Sequence, residues 1–453
     1  MQPNVGIAGS NLEYVGQTLL HPLGLVAALV LGVLMLILPR RTAVLPMIAM
    51  ACFLAPVQRL VILGLDLNLL RILMLFGWVR LLVRGELHGF RWKAIDKVVL
   101  AWVVAGAFIY TIQQGTSQAL INRLGNAYDA LGMYFLFRCL VRTWDDIART
   151  ALGFAIISVP VAMAFLVENQ TGYNVFSTLG GVEESTLVRE GRIRCQGAFS
   201  HPILAGCFWG SIMPLIASLW WNDRRQRVWV VIGLGCAAII VLCCASSTPV
   251  VSVVIGAMAA ALYPFRRYLR TIRWTVLIGL VCLHLLMRAP VWHLLSRVQA
   301  VGGSTGWHRY HLIDQSIARV GEWWLWGTPS TAHWGMGLRD VTNQYVLEGV
   351  RGGLLTLVLF VILIALAFQG LGRRLQRVEH APAQRAMVWA LSVALFMHAM
   401  NFLAVSYFGQ IIMIWFLILG VAGALTPSQV TTEGYYVRTG LPVVAHMRAG
   451  VRA

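Results

Sequence analysis

The stretch VWVVIGLGCAAIIVLCC-ASSTP-VVSVVIGAMAAALYP, residues 228–264, decides the class of this chain. It contains no charged side chain, yet Arg224, Arg225 and Arg227 precede it and Arg266, Arg267, Arg270 and Arg273 follow it. A bilayer core is crossed by roughly 20 apolar residues in a helix, because lipid offers backbone N–H and C=O groups no partners and a helix satisfies them internally. Two spanning helices, 228–244 and 248–264, are therefore expected, with Ala245-Ser246-Ser247-Thr248-Pro249 as the turn between them.

The same pattern continues outward in both directions. Of the 453 residues, 58% are hydrophobic and 12% charged, a balance that excludes an ordinary water-soluble domain. Further apolar segments run over 22–38, 43–63, 67–83, 95–113, 123–141, 147–167, 202–221, 273–288, 344–368, 386–402 and 407–424. Pro46, Pro56, Gln58 and Arg59 interrupt the second of these, so one broken pair is the alternative to a regular count. The expected fold is all-α and polytopic, with about 12–13 transmembrane helices in a single domain over 1–453. Met1–His21 lacks the Lys or Arg of a signal-peptide n-region, so the first helix is expected to be retained. Eight cysteines lie mostly in apolar stretches, without C-x-x-C or zinc-type spacing; neither a disulfide framework nor a metal or other cofactor is expected.

A formal net charge of +18 would point to nucleic acid in a soluble protein. Here the cations come in bursts in alternate loops: Arg40 and Arg41; Arg80, Arg84, Arg91, Lys93 and Lys97; Arg138, Arg142 and Arg149; then the two arginine groups flanking 228–264; then Arg373, Arg374, Arg377 and Arg385; and last Arg438, Arg448 and Arg452. Loops retained in the cytoplasm are enriched in Lys and Arg. That rule puts the N-terminus and two long loops, 168–201 and 289–343, outside, and the tail 425–453 in the cytoplasm. The expected partner surface is membrane lipid and no nucleic acid.

Long outer loops are where chemistry is sought. The first ends Arg189-Glu190-Gly191-Arg192-Ile193-Arg194-Cys195-Gln196-Gly197-Ala198-Phe199-Ser200-His201-Pro202. Guanidinium forks suit phosphate oxygens, and outer arginines run against the positive-inside bias. The plainer reading is a set of salt bridges to Glu183, Glu184 and Glu190. In the second loop, Tyr310, Ile313, Ile317, Val320 and Trp324 share one face of a helix over 308–324, with His308, His311, Gln315 and Arg319 on the other. An amphipathic helix of this kind lies in the headgroup layer, either as a plain anchor or as the roof of a lateral cavity. Past it, Glu348 and Arg351 stand three apart on the next helix and can pair. His308, His311 and His333 are candidate bases, since imidazole titrates near neutrality.

The arginine stretch R-x-R-x-x-G-x-F-x-H-P, the long second loop, and Asn343-Gln344-Tyr345 with Glu348 and Gly352-Gly353 together resemble the O-antigen ligase and polymerase superfamily. The motif-level resemblance covers about 189–210 and 305–360. It implies a metal-independent, inverting glycosyltransferase of the periplasmic face of a bacterial inner membrane. Its donor would be a glycan on undecaprenyl diphosphate and its acceptor a glycan or glycolipid, in the company of other polysaccharide-assembly proteins. By position, the diphosphate-holding arginines fall on Arg192 or Arg194 and on Arg309 or Arg319; His201, Arg339 and Asn343 complete the implied substrate-binding set. Two departures stand out: the family's S-R-G-like turn reads Ala245–Pro249 here, with no arginine, and its His-Asn pair reads Thr342-Asn343. His333 and Asp340 are then the candidates for the base, and the departures favour an exopolysaccharide or O-antigen polymerase over a ligase. A flippase for lipid-linked sugars and a scaffold subunit are the rival readings.

Overall fold

A computed structural model describes residues 17–62, 65–297 and 306–425. Its helices are α1 (Pro22–Ile37), α2 (Leu45–Phe53), α3 (Leu69–Val83), α4 (Ala94–Gln114), α5 (Ser117–Leu140), α6 (Trp144–Thr171), α7 (Pro202–Ser218), α8 (Arg227–Cys243), α9 (Ser247–Ala261), α10 (Leu269–Leu286), α11 (Gly306–Ala318), α12 (Val320–Trp323), α13 (Gln344–Arg377), α14 (Pro382–Asn401) and α15 (Ile411–Leu425). Two antiparallel hairpins complete it, β1 (Arg59–Ile62) with β2 (Leu65–Asn68) before α3, and β3 (Val188–Arg189) with β4 (Arg192–Ile193) before α7.

The chain is an all-α membrane protein, and the hairpin read at 228–264 is present as α8 and α9. Among the described residues, six helices are long and apolar enough to cross a membrane: α4, α6, Pro202–Trp221, Arg224–Cys243, Tyr263–Leu286 and α13. This is fewer than the expected count, and α1, α9 and α15 are shorter apolar helices. The interrupted segment 43–63 is corrected outright. It forms the nine-residue α2 and then strand β1. Nine residues of helix rise roughly 14 Å, under half of a bilayer core. The tail beyond 425 and the glycine-rich 302–305 lie outside the described residues.

Helices α7 and α15 are buried almost all round and form the centre, with Phe154 and Phe199 packed against Phe208 of α7. A Cβ on Gly206 of α7 would run into the ring of Pro249 on α9, so the glycine sets how closely these helices approach. Helix α10 has no buried residue, the signature of an apolar helix whose neighbour is lipid.

The basic loops gather at one end. Arg40 donates to Asp146 at 2.7 Å and to the Leu140 carbonyl at 2.8 Å. Arg80, fully buried, forks onto Glu86 at 2.8 and 3.0 Å and also reaches the Met35 and Leu38 carbonyls. Arg142 reaches the Glu86 carbonyl, and Lys93 donates to the Gly423 carbonyl at 2.8 Å. The long loops occupy the other end, called here the loop end.

Helix α13 is not continuous. Gly352 (φ −148°) and Gly353 (φ +68°) break it two turns in. Broken helices are tolerated in membranes only where protein satisfies the freed backbone. Here the segment after α12 does so. Leu354 N–H donates to the Trp324 carbonyl at 2.7 Å, Thr328 N–H donates to the Val350 carbonyl at 2.8 Å, and Gln113 Nε2 donates to the Trp326 carbonyl at 3.0 Å. Above the break lies a small second core of Leu312, Trp323, Trp334, Leu338 and Leu347, distinct from the membrane core.

This arrangement predicts the outcome of Gly353→Ala. The left-handed backbone and the nearby Leu325 carbonyl both oppose a side chain, at a cost of roughly 1–3 kcal/mol. The purified variant in detergent should melt lower and be cut faster by protease between 324 and 330; an unchanged melting temperature would show that the break is not braced.

Candidate functional site

The α8–α9 turn is the meeting point of the loop end. Ala245 holds a left-handed backbone (φ +43°), an uncommon and strained state for a residue with a Cβ. The Cys243 carbonyl accepts from Cys195 N–H at 3.1 Å, which lays the arginine loop against the turn.

That loop is fixed from below by one carboxylate. Glu168, fully buried near the end of α6, accepts from Gln196 N–H at 2.9 Å, Gly197 N–H at 3.0 Å and the Thr186 hydroxyl at 3.1 Å. Asn174 donates to the Gly197 carbonyl at 2.8 Å, and Gln410, from the loop before α15, donates to the Ala198 carbonyl at 2.6 Å. Neither Glu168 nor Gln410 was singled out from sequence. A lone glutamate at the end of the apolar run 147–167 was the available signal for the first.

Three arginines then surround the turn. Arg192, exposed on β4, borders a groove of about 470 Å³ with Asn169, Ile193, Leu242, Ala245 and Ser246. Arg194 is half-buried and its Nε is buried without a hydrogen-bond partner. Burial, and then the nearby Arg189 charge, hold its pKa below the usual arginine value. Arg309 descends from α11 and is buried, its Nη2 donating to Thr248 Oγ1 at 2.8 Å and its Nε to the Ala404 carbonyl at 3.0 Å; burial lowers its pKa as well. Among the described residues no carboxylate lies within 4.0 Å of any of the three guanidiniums; the loop's one ion pair joins Arg189 to Glu190 at 4.0 Å. The turn that lacks its own arginine thus receives one through space from α11.

His201 caps α7, its Nδ1 accepting from Ile203 N–H at 3.1 Å. Burial, then Arg194 and Arg189, push its pKa down to about 4. A neutral ring that accepts at Nδ1 carries its proton on Nε2, so His201 can donate to an anion but is not a base at neutral pH.

The other implied residues are elsewhere. Arg319 pairs with Glu322 at 3.0 Å, and Glu322 also accepts from Trp334 Nε1 at 2.9 Å and meets His333 Nε2 at 2.7 Å. These bonds, Trp334 first and His333 next, hold the Glu322 carboxyl down to about 2. Arg319 is ten residues along from Arg309, roughly 15 Å of helix, so this network sits at the far end of α11 from the turn. Of the two loop arginines implied to hold the diphosphate, only Arg309 reaches the turn. Arg339 and Asp340 are exposed, and neither side chain makes a hydrogen bond or ion pair among the described residues. Asn343 is a structural cap: Oδ1 accepts from Val346 N–H at 3.1 Å while Nδ2 donates to the Leu403 carbonyl at 3.1 Å.

Two further expectations change. The helix over 308–324 is interrupted at Arg319, and it buries Arg309, Leu312 and Ser316 against protein while Ile317, Val320 and Trp324 stay exposed on a second face. Glu348 and Arg351 form no ion pair within 4.0 Å; Glu348 instead accepts from Trp102 Nε1 at 2.9 Å and Gln344 Nε2 at 2.8 Å.

His201 sets a pH dependence. Its folded pKa lies below the ordinary value of 6.5, so the unfolded chain binds the proton more readily, and stability falls as pH drops from 6.5 through 4. His201→Asn, which keeps a capping oxygen, should flatten this part of a melting-temperature profile; an identical slope in the variant would rule the assignment out. No protein-family model matches the chain, and no curated protein is significantly similar to it.

Proposed function

We propose that the chain is a glycosyltransferase that elongates or transfers an oligosaccharide from a polyprenyl diphosphate carrier, working on the periplasmic face of a bacterial inner membrane. The observation that carries this reading is the set Arg192, Arg194 and Arg309, three guanidiniums free of carboxylate partners among the described residues, around one turn at the loop end. A diphosphate becomes a good leaving group when its developing charge is neutralised by fixed donors, and guanidiniums do this by charge and by paired hydrogen bonds. His201 Nε2–H adds a neutral donor beside Arg194. The basic rim at the opposite end supports the orientation through the positive-inside rule.

In this reading the acceptor hydroxyl attacks the anomeric carbon as the carrier phosphate leaves, inverting the configuration. His333 is the favoured base: its Nε2 is engaged by Glu322, which leaves Nδ1 to take the hydroxyl proton. Asp340 is the alternate. Because His333 lies at the far end of α11 from Arg309, the reading requires the segment after α11, residues 320–343, to move towards the turn when substrate binds. Exposed Trp307 and Trp326 are the aromatic faces offered to sugar.

The test uses purified protein with a lipid-linked oligosaccharide donor in detergent. Arg194→Ala and Arg309→Ala should each lower product formation about 100-fold or more, and His333→Ala by a similar factor, while Arg224→Ala at the basic end changes it little. Full activity in both arginine variants would overturn the clamp. Repeated elongation identifies a polymerase and a single transfer to a lipid A-core acceptor a ligase; movement of the lipid-linked sugar across a vesicle without a new glycosidic bond would replace the enzyme with a flippase.

A further inference from the structure

A second group of arginines lies inside the helical region. Arg351, eight residues beyond the Asn343 cap and roughly 12 Å down α13, is exposed beside Leu354 and Leu355, which are exposed too. Arg123, six residues into α5, stacks its guanidinium 3.6 Å above the ring of Tyr110 on α4, and its Nε is buried with no hydrogen-bond partner. Gln113, three residues beyond Tyr110 on α4, donates to the Val350 carbonyl at 3.3 Å, which brings the Arg123–Tyr110 pair beside Arg351, and the charge of Glu348 acts on both arginines. Glu348 forms no ion pair with either within 4.0 Å, since its oxygens are taken by Trp102 and Gln344.

The contrast with a neighbouring pair is instructive. At a comparable level, Arg71 forks onto Asp129 at 2.6 and 2.8 Å and is neutralised by it. Arg123 and Arg351 bring two positive charges and share one distant negative one. Uncompensated cations at this depth are costly, and they are stabilised by an anion that reaches them from the lipid side. The tryptophan segment 324–328 is bound to the break just above Arg351, Thr328 N–H donating to the Val350 carbonyl at 2.8 Å and Leu354 N–H to the Trp324 carbonyl at 2.7 Å. Leu354 and Leu355 beside Arg351 are exposed apolar side chains, the surface that a lipid tail would cover.

We propose that Arg123 and Arg351 form an intramembrane binding site for a phosphate ester, separate from the α8–α9 turn and entered sideways. Tyr110 supports Arg123, and Glu348 keeps the site from binding anions indiscriminately. The site takes the phosphate of a membrane lipid, and it stands whether or not the protein transfers sugars.

The experiment is native mass spectrometry of the full chain in detergent with dioleoyl phosphatidic acid or dioleoyl phosphatidylcholine. The wild type should retain phosphatidic acid preferentially. Arg351→Gln and Arg123→Gln should each weaken that retention about tenfold, the loss of one charge-assisted pair. Arg351→Lys should restore part of it, and Arg224→Gln, at the basic end, should leave it intact. Displacement by millimolar inorganic pyrophosphate would show that free phosphate uses the same site; no displacement would assign it to lipid alone. Absence of any preference in the wild type overturns the proposal without recourse to variants. So does retention that survives Arg123→Gln/Arg351→Gln, or that is lost only in Arg309→Gln. Because no sugar transfer is read, failure here is distinguishable from failure of the glycosyltransferase reading.

Discussion

The buried carboxylate of Glu168 is the constraint on which the loop end depends. An ionised group in an apolar surround is expensive unless its oxygens are fully bonded, and here two backbone amides and a hydroxyl do the bonding. The same bonds fix Gln196 and Gly197, and so the direction in which Arg194 leaves the loop and the place where His201 begins α7. These bonds order the polar part of a stretch whose apolar part is anchored by Phe199, buried against Phe208.

Charge is handled differently at the two ends. At the basic end the arginines are absorbed into architecture: Arg40 by Asp146, Arg80 by Glu86 and two carbonyls. At the loop end Arg192, Arg194 and Arg309 are held by backbone, by Thr248 and by burial, with no carboxylate within 4.0 Å among the described residues. Arg319 shows that the loop end can neutralise an arginine when it has Glu322 to do so. The three without an ion pair are therefore a feature of where they sit.

Much of the fold was legible because the bilayer writes a one-dimensional rule into the chain. The helices α8 and α9 follow directly from residues 228–264, although only the first is long enough to span, and Pro56 with Arg59 announced the failure of 43–63 as a single helix. What was not legible depended on pairing across space. Arg309 and Arg319 are the same residue type in one predicted helix, and the position of Thr248 and Ala404 on one hand and Glu322 on the other separates their roles. Glu348 and Arg351 have the right spacing to pair, yet Trp102 on another helix takes the carboxylate. Gly352-Gly353 was read as part of a motif, and the need for a break there appears only once Trp324 and Thr328 are seen to fill it.

That break divides α13 between two cores. Its first two turns give Leu347 and Val350 to the core with Leu312 and Trp334, while the remainder gives Phe360, Leu363 and Ala367 to the membrane core; Tyr345 and Leu357 pack across the division. One covalent helix thus belongs to two modules, joined by a glycine pair and a few backbone bonds. Residues of the loop module that do not touch Tyr345 or Leu357 can then be exchanged with little repacking of the membrane core.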